Sequence, residues 1–306
     1  MIAEKKIIAP VEREKLKQEL TADKFLRATK NGSNMLYVVN AVNSPQIMRE
    51  IGRLREMAFR DAGGGTGEEV DIDESDLAED GYQQLIVWDP DDEEIIGGYR
   101  FIVSHSSYTK YLSTEHYFRF GDKFRQEYLP YMIELGRSFV QPKYQNRRAN
   151  PKGLYALDNL WDGLGALVAT NPHVKYFFGK VTMYMEYNND ARNTLLYFLK
   201  KYFPDTENLV QPIYPIELDI DGEAMERLFT GGSYMEDYKI LTKEIRSHGE
   251  NIPPLINAYM NLSPSMKVFG TVRNPDFGDV EETGILITIS DIYIEKFERY
   301  KFNVEK

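Results

Sequence analysis

Apolar positions along this chain fall into short β-type runs and longer stretches of helical spacing. Residues 35–41, MLYVVNA, form an almost unbroken apolar run of strand length. Ser44 and Pro45 then supply an N-cap and a first-turn proline, and Ile47, Ile51, Leu54 and Ala58 recur at helical spacing, predicting a helix over 45–61. A charged amphipathic segment over 11–26 predicts an earlier helix, ended by the breaker Lys30-Asn31-Gly32-Ser33. Residues 84–88 and 95–103 are rich in β-branched and aromatic side chains and flank the turn-forming Asp89-Pro90-Asp91-Asp92, which predicts an antiparallel hairpin.

The same reading continues down the chain. Residues 132–140 (MIELGRSFV) and 174–183 read as strands. Leu154, Leu157, Trp161, Leu164 and Val168 mark a helix over 153–169, and Asn188 or Asn189 caps another running to about residue 202. After a proline-spaced connection come polar helices, a short helix over 251–262, and a hairpin of 267–272 with 284–289 turned by Asn274-Pro275-Asp276-Phe277-Gly278. Strands and helices in this order predict an α/β fold with a mixed sheet and helices packed on it. The expected parts are an N-terminal helical extension (1–34), a core (35–210) and a C-terminal part (211–306) that completes the sheet.

Composition narrows the functional classes. The 306 residues can bury a large core, and 42% hydrophobic with 28% charged residues is an ordinary globular balance. No apolar run approaches a spanning helix and the N-terminus has no hydrophobic signal core, so the expected location is cytoplasmic, with peripheral membrane contact. Cysteine is absent, which removes thiolate nucleophiles, and the four histidines have no metal-ligand spacing, so no metal site is expected. A net charge of −11 argues against nucleic-acid binding.

One stretch invites several chemistries: GGGTGEEVDIDESD, residues 63–76. It is no phosphate loop, because no Gly-Lys-Ser/Thr follows and a helix precedes it where a strand is required. It is no calcium loop either, since the sixth place counted from Asp71 is Asp76 where a turn glycine is needed, and the twelfth is Tyr82. The remaining readings are a flexible acidic loop hinged on glycines, or the carboxylate wall of a site. Two apolar strands carry charges that bear on the choice: Arg100 in GGYR, and Glu134 and Arg137 in ELGRS. Strand alternation puts Glu134, Gly136 and Ser138 on one side and Leu135, Arg137 and Phe139 on the other. Buried charges of this kind require partners or substrate, so Arg100 or Arg137 either bridges to an acid such as Asp71, Asp73 or Glu134 or serves a site.

In order, LREMAFRDAGGGTGEEVDIDESD, IIGGYRFI, IELGRSFVQPKYQ, YFFGKVTMYMEYNNDARNTLLYFL and IPPLINAYMNLSPSMKVFGTVRNPDFGD resemble the GNAT superfamily of N-acyltransferases. The likeness is to its acyl-carrier-protein-dependent, hemolysin-like branch, which holds ornithine and glycine N-acyltransferases and is related to acyl-homoserine-lactone synthases. It spans about residues 35–290 and implies a GNAT-like, mostly antiparallel sheet with a C-terminal extension. It also implies that Arg55, Phe59, Glu69, Asp71, Asp73, Arg100 and Arg137 shape the acceptor side. The ELGRS strand would lie beside a thioester, splayed so that its backbone N–H groups face the donor.

The usual Q/R-x-x-G-x-G/A loop is replaced here by 145–153, QNRRANPKG. Lys143, Arg147, Arg148 and Lys152, with Gly153 at the following helix start, then form the basic cluster expected to meet acyl carrier protein or acyl-CoA as co-substrate. Acyl transfer to an amine requires a base, an oxyanion site and protonation of the leaving thiolate. The expectations are Glu134 as base, backbone near Ser138 for the oxyanion, and Tyr187 or Tyr184 as proton donor. Phe269, Phe277, Ile285 and Ile287 complete a core or line an acyl tunnel. The expected activity is transfer of a fatty acyl or 3-hydroxyacyl group to the α-amine of ornithine or glycine in aminolipid synthesis, the acidic run favouring a cationic acceptor. A homoserine-lactone-type synthase and a non-catalytic acyl- or carrier-binding module are the alternatives.

Overall fold

The computed structural model describes residues 4–145 and 151–300. Helix α1 (Arg13–Glu19) is followed by strands β1 (Phe25–Ala28) and β2 (Met35–Val39), helix α2 (Pro45–Asp61) and the single turn α3 (Glu74–Leu77). The hairpin β3 (Gln83–Asp89) and β4 (Glu94–Val103), a short β5 (Phe118–Phe120) and β6 (Met132–Val140) come next. A turn, α4 (Pro142–Gln145), precedes α5 (Ala156–Thr170), β7 (Tyr176–Met183) and α6 (Asn189–Tyr202). The C-terminal part contains β8 (Val210–Pro212), α7 (Gly222–Leu228), α8 (Tyr234–Ser247), α9 (Pro254–Met260), the hairpin β9 (Lys267–Asn274) and β10 (Val280–Thr288), and α10 (Ile294–Tyr300).

Eight strands form one sheet in the order β1-β2-β3-β4-β6-β7-β10-β9, and β5 pairs with β8 in a separate ribbon. Every pairing in the large sheet is antiparallel except β6 with β7. Strand periodicity decides which face each side chain serves. In β3, Ile86 and Trp88 join the core under α2, while Leu85 and Val87 join the larger core beneath α5, α6 and α9. The fold is therefore α/β, a mostly antiparallel sheet flanked by helices.

One expected element differs. The helix predicted over 11–26 is reduced to α1 and a 3-10 turn (Ala22–Lys24), because residues 25–28 instead pair with β2 as an edge strand. Four residues of ambiguous propensity are decided by a neighbour distant in sequence, a tertiary effect that local pattern does not carry.

Two irregularities in β6 make the site. Gly98 of β4 pairs with Phe139 and Arg100 pairs with Gly136, so Arg137 and Ser138 together stand opposite Tyr99 in a β-bulge. Arg137 sits in the left-handed region at φ 48°, a conformation that costs a non-glycine residue about 1 kcal/mol or more. On its other side, β6 pairs with β7 only from Met132↔Tyr176 to Leu135↔Gly179, after which the strands separate. The rest of β7 stays zipped to β10, through Glu281↔Met183.

Candidate active site

The gap where β6 leaves β7 is a cavity of about 400 Å³, within the range of ligand sites. One wall is the β6 edge, residues 135–140; the other is Lys180, Thr182 and Tyr184, with Glu282 from β10 beside them. Phe59 and Phe277 close the top with rings packed edge to face at 5.0 Å, and Gly153, Ala156 and Pro254 also contribute to the lining. A smaller apolar cavity of about 30 Å³ continues between the strands past Tyr99, Phe177, Ile285 and Tyr259. Among the described residues, the backbone of β6 from Gly136 onward has no ladder partner on this side.

The acidic run is folded onto arginines. Arg55, wholly buried on α2, donates from Nη1 to Asp76 Oδ2 at 3.1 Å and from Nη2 to Gln84 Oε1 at 2.5 Å. Gln84 in turn donates to Asp76 Oδ1 at 2.9 Å. Arg100 donates to Asp73 Oδ2 at 2.6 Å and lies 4.4 Å over the Tyr82 ring. Arg137 meets Asp71 at 2.9 Å and stacks 4.0 Å over Phe277. Asp73 also caps α3, accepting from Asp76 N at 2.9 Å.

Three arginines thus face three aspartates. These three carboxylates are spent on Arg55, Arg100 and Arg137, the last two held at the cavity wall. Burial works against the Arg100 cation, but Asp76, Tyr82 and Asp73 outweigh it and hold its pKa above the ordinary value. Burial likewise opposes ionisation of Asp73, yet Arg100 prevails and brings its carboxyl down to about 2.

The glycine loop is tied down by hydrogen bonds. The loop wraps the buried Glu56 carboxylate, which accepts from Arg60 Nε at 2.7 Å, Thr66 N at 3.0 Å, Thr66 Oγ1 at 2.7 Å and Gly67 N at 2.8 Å. Gly63, Gly65 and Gly67 all have positive φ (89°, 99° and 77°), which is why glycine stands there. A Cβ on Gly64 would lie 2.9 Å from the Tyr184 ring, so the loop packs tightly against the cavity's outer wall.

Other expected site residues divide. Ser138, Phe59, Arg100, Arg137 and Gly153 line the cavity. Gly153 approaches the Tyr144 carbonyl so closely that a Cβ would sit 2.0 Å from its oxygen. Arg137 and Ser138 both face the cavity because the bulge breaks the alternation expected for β6.

Glu134 instead stands behind the wall, fully buried. It accepts from Tyr82 Oη at 2.8 Å, Ser113 Oγ at 2.7 Å, Thr114 N at 3.3 Å and Thr114 Oγ1 at 2.9 Å. Tyr187 points elsewhere, donating to the Asn251 carbonyl at 3.0 Å, and Tyr184 is the tyrosine of the cavity. Glu69 is exposed and outside the described lining.

The basic cluster is also redistributed. Lys143 pairs with Glu94 at 2.8 Å, and Lys152 pairs with Asp89 at 2.7 Å and Asp92 at 3.2 Å, so both tie the α4 region to the β3–β4 turn. Arg147 and Arg148 lie outside the described residues. Of the aromatic and apolar candidates near the C-terminus, Phe277 lines the cavity, Ile285 and Ile287 line its narrow continuation, and Phe269 packs in the core with Phe124 and Phe178.

Several residues here were not picked out from sequence. Asp76 is the central acid of the arginine network, hidden among its acidic neighbours. Lys180 and Glu282 form a buried pair at 3.0 Å on the cavity wall. Lys180, in FFGKVTM, carries the signal that singled out Arg100: a charge inside an apolar strand. Among the described residues there is no group of three or more potential metal ligands, and no helix is long and apolar enough to cross a membrane.

Comparison with known proteins accords with this geometry. Residues 54–152 match the family described as an acetyltransferase (GNAT) domain, a span that runs from within α2 to just before α5. The chain is 54% identical to a glycine N(alpha)-acyltransferase of Phocaeicola vulgatus over 299 residues, covering 96% of this chain and 92% of that protein. It is 56% identical to a glycine N(alpha)-acyltransferase of Bacteroides thetaiotaomicron, over 96% of this chain and 89% of that protein. A solved CoA-dependent acyl-homoserine lactone synthase, BjaI, is 16% identical, covering 53% of this chain and 72% of its own, with a TM-score of 0.29, too low to carry an argument. At this level of identity across nearly the whole chain, the protein belongs to the family of these two enzymes and is an N-acyltransferase with a GNAT domain.

Proposed function

We propose that the enzyme moves a fatty acyl group from a pantetheine thioester to the α-amine of glycine, as a step in making an N-acyl aminolipid. The observation that carries this reading is the separation of β6 from β7, which leaves an unpaired strand edge on one wall of a cavity and charged side chains on the other. The names of the two relatives supply the acceptor. Charge supports it too. Asp71, Asp73 and Asp76, the acids of the run that reach the arginines beside the cavity, are matched by Arg55, Arg100 and Arg137, so none of these three is left for the second ammonium of ornithine.

Direct attack of the amine on the thioester needs no enzyme nucleophile, in keeping with the absence of cysteine. In this reading, backbone N–H groups on the unpaired edge along 136–140 hold the oxyanion as the tetrahedral intermediate forms. Tyr184 lies on the wall, and burial raises its pKa, so it stays protonated and can give its proton to the departing thiolate. The apolar continuation past Phe177 and Ile285 takes the start of the acyl chain.

For the donor we favour acyl carrier protein over acyl-CoA. The loop at 145–153 lacks the glycine pattern that grips a pyrophosphate, and Arg147 and Arg148 suit an acidic carrier. The test compares purified enzyme on acyl carrier protein and acyl-CoA with the same chain, beside an R147E/R148E variant. A higher KM for the carrier alone, with weaker salt dependence, is expected. Equal changes for both donors, or none, overturn the carrier assignment.

A further inference from the structure

We infer that Lys180 and Glu282 form the acceptor site: Lys180 binds the carboxylate of the incoming amino acid, and Glu282 takes the proton from its ammonium. This rests on the reading of the enzyme as a glycine N-acyltransferase.

The pair belongs to the half of the sheet that stays zipped where β6 has left. In the β7–β10 ladder Glu282 is opposite Thr182, and Lys180 is two residues along β7, so all three side chains share the face that lines the cavity. Lys180 Nζ is 3.0 Å from Glu282 Oε2 and 4.3 Å from the centre of the Tyr117 ring. Asn274 Nδ2 also donates to Oε2, at 3.2 Å, and Asn274 Oδ1 accepts from Tyr117 Oη at 2.7 Å. Both contacts fall on Oε2, and Oε1 makes no hydrogen bond among the described residues. The carboxylate is thus fixed by one oxygen with the other available.

A lysine and a glutamate with side chains only 10% and 4% exposed are costly to desolvate, and apolar residues of similar volume would hold a sheet at least as well. Facing a cavity, the pair has a use that apolar residues lack. An α-amino acid is a zwitterion whose ammonium and carboxylate are two bonds from a common carbon, so a side-by-side anion and cation match it charge for charge. The acceptor's ammonium replaces Lys180 beside Glu282, and its carboxylate meets Lys180, with Arg137 as the second cation on the opposite wall.

Glu134 does not compete on equal terms. Its four hydrogen bonds engage both oxygens, and among the described residues Ser113 is the cavity-lining partner it bonds. The groups that face Glu282 are Lys180 on β7, Tyr184 just beyond it, Tyr117, Asn274 on β9 and, across the cavity, Arg137. Burial pulls the Lys180 pKa down, with Glu282 opposing, so the lysine depends on its carboxylate neighbour or an incoming one to remain charged.

The step balances without a further reactant. Glu282 accepts one proton from the ammonium, and the freed nitrogen lone pair forms the C–N bond at the thioester carbonyl carbon. Collapse of the intermediate breaks the C–S bond. The nitrogen's second proton replaces the one that Tyr184 gives the thiolate, and the first passes from Glu282 to solvent.

The test measures kcat/KM for glycine and for glycinamide, which lacks the carboxylate, at a saturating acyl thioester, with thermal melting as a check on folding. Glu282→Gln is expected to lower kcat/KM for both acceptors about 100-fold or more near neutral pH, with the donor KM unchanged. Its residual rate should climb about tenfold per pH unit as free amine accumulates in solution, more steeply than wild type. Lys180→Met should raise KM for glycine at least tenfold more than for glycinamide, and it carries the test by itself if Glu282→Gln fails to fold. A Glu282→Gln rate within threefold of wild type, a loss without the pH rescue, or equal effects of Lys180→Met on both acceptors overturns the inference. Wild-type enzyme inactive on glycine with every thioester would instead sink the functional reading beneath it.

Discussion

Asp71 holds Arg137 with both carboxylate oxygens, Nε standing 3.2 Å from Oδ1 and 2.9 Å from Oδ2, across the bulge that opens the cavity. The pair fastens the acidic segment to β6 and keeps Arg137 in its left-handed conformation. Asp71→Asn removes the charge from a nearly fully buried partner and should cost about 3 kcal/mol in urea unfolding, with at least a tenfold drop in kcat/KM. Unchanged stability would mean that Phe277 stacking alone seats the arginine.

Asp73 makes part of the stability pH-dependent. Its folded-state pKa of about 2 lies below the ordinary 3.8, so its contribution is fully present above the ordinary value and is lost as pH falls through about 2. Its side chain is 41% exposed, so solvent screening leaves about 1 kcal/mol or less. Asp73→Asn should lower stability at pH 6 and flatten the stability curve between pH 4 and about 2, as read by denaturant titrations. A variant curve parallel to wild type over that interval argues against the Arg100 partnership.

Glu56 is the post around which the glycine loop is wound. Glu56→Gln replaces a charged acceptor of four hydrogen bonds with a neutral one and should cost about 2 kcal/mol. Hydrogen exchange should speed up in residues 63–67 more than elsewhere. Uniform exchange with no local change would restore the hinge reading.

Glu134 now carries a structural expectation. Glu134→Gln leaves Tyr82, Ser113 and Thr114 facing an amide, and a loss of about 3 kcal/mol should accompany any fall in rate. Full stability with abolished turnover that is rescued at high pH would instead make Glu134 the base, acting through Ser113.

Much of this was legible before the fold was known. The hairpin β3–β4, strands β6 and β7 and helices α2 and α6 follow from periodicity and capping, and Arg100 and Arg137 were conspicuous as charges in apolar strands. Other features depend on tertiary pairing. The bulge at Arg137–Ser138 arises from a register shift between two strands, which no single strand records. The partners of Asp71, Asp73 and Asp76 lie on α2, β4 and β6, so an acidic run read alone looks like free charge. Lys143 and Lys152 looked like an open basic patch because the acids of the β3–β4 turn that meet them lie roughly fifty or more residues away in the chain. Glu282 sits more than 100 residues from Lys180, and only the β7–β10 ladder joins them.

The central claim is transfer to glycine in the gap between β6 and β7, and thiol release measured beside product mass is its most direct test. Purified enzyme with an acyl thioester should release one thiol for each N-acyl glycine formed, slowly without an amino acid and with ornithine a poorer acceptor than glycine. Thiol release without amide, or faster turnover with ornithine, would contradict the account.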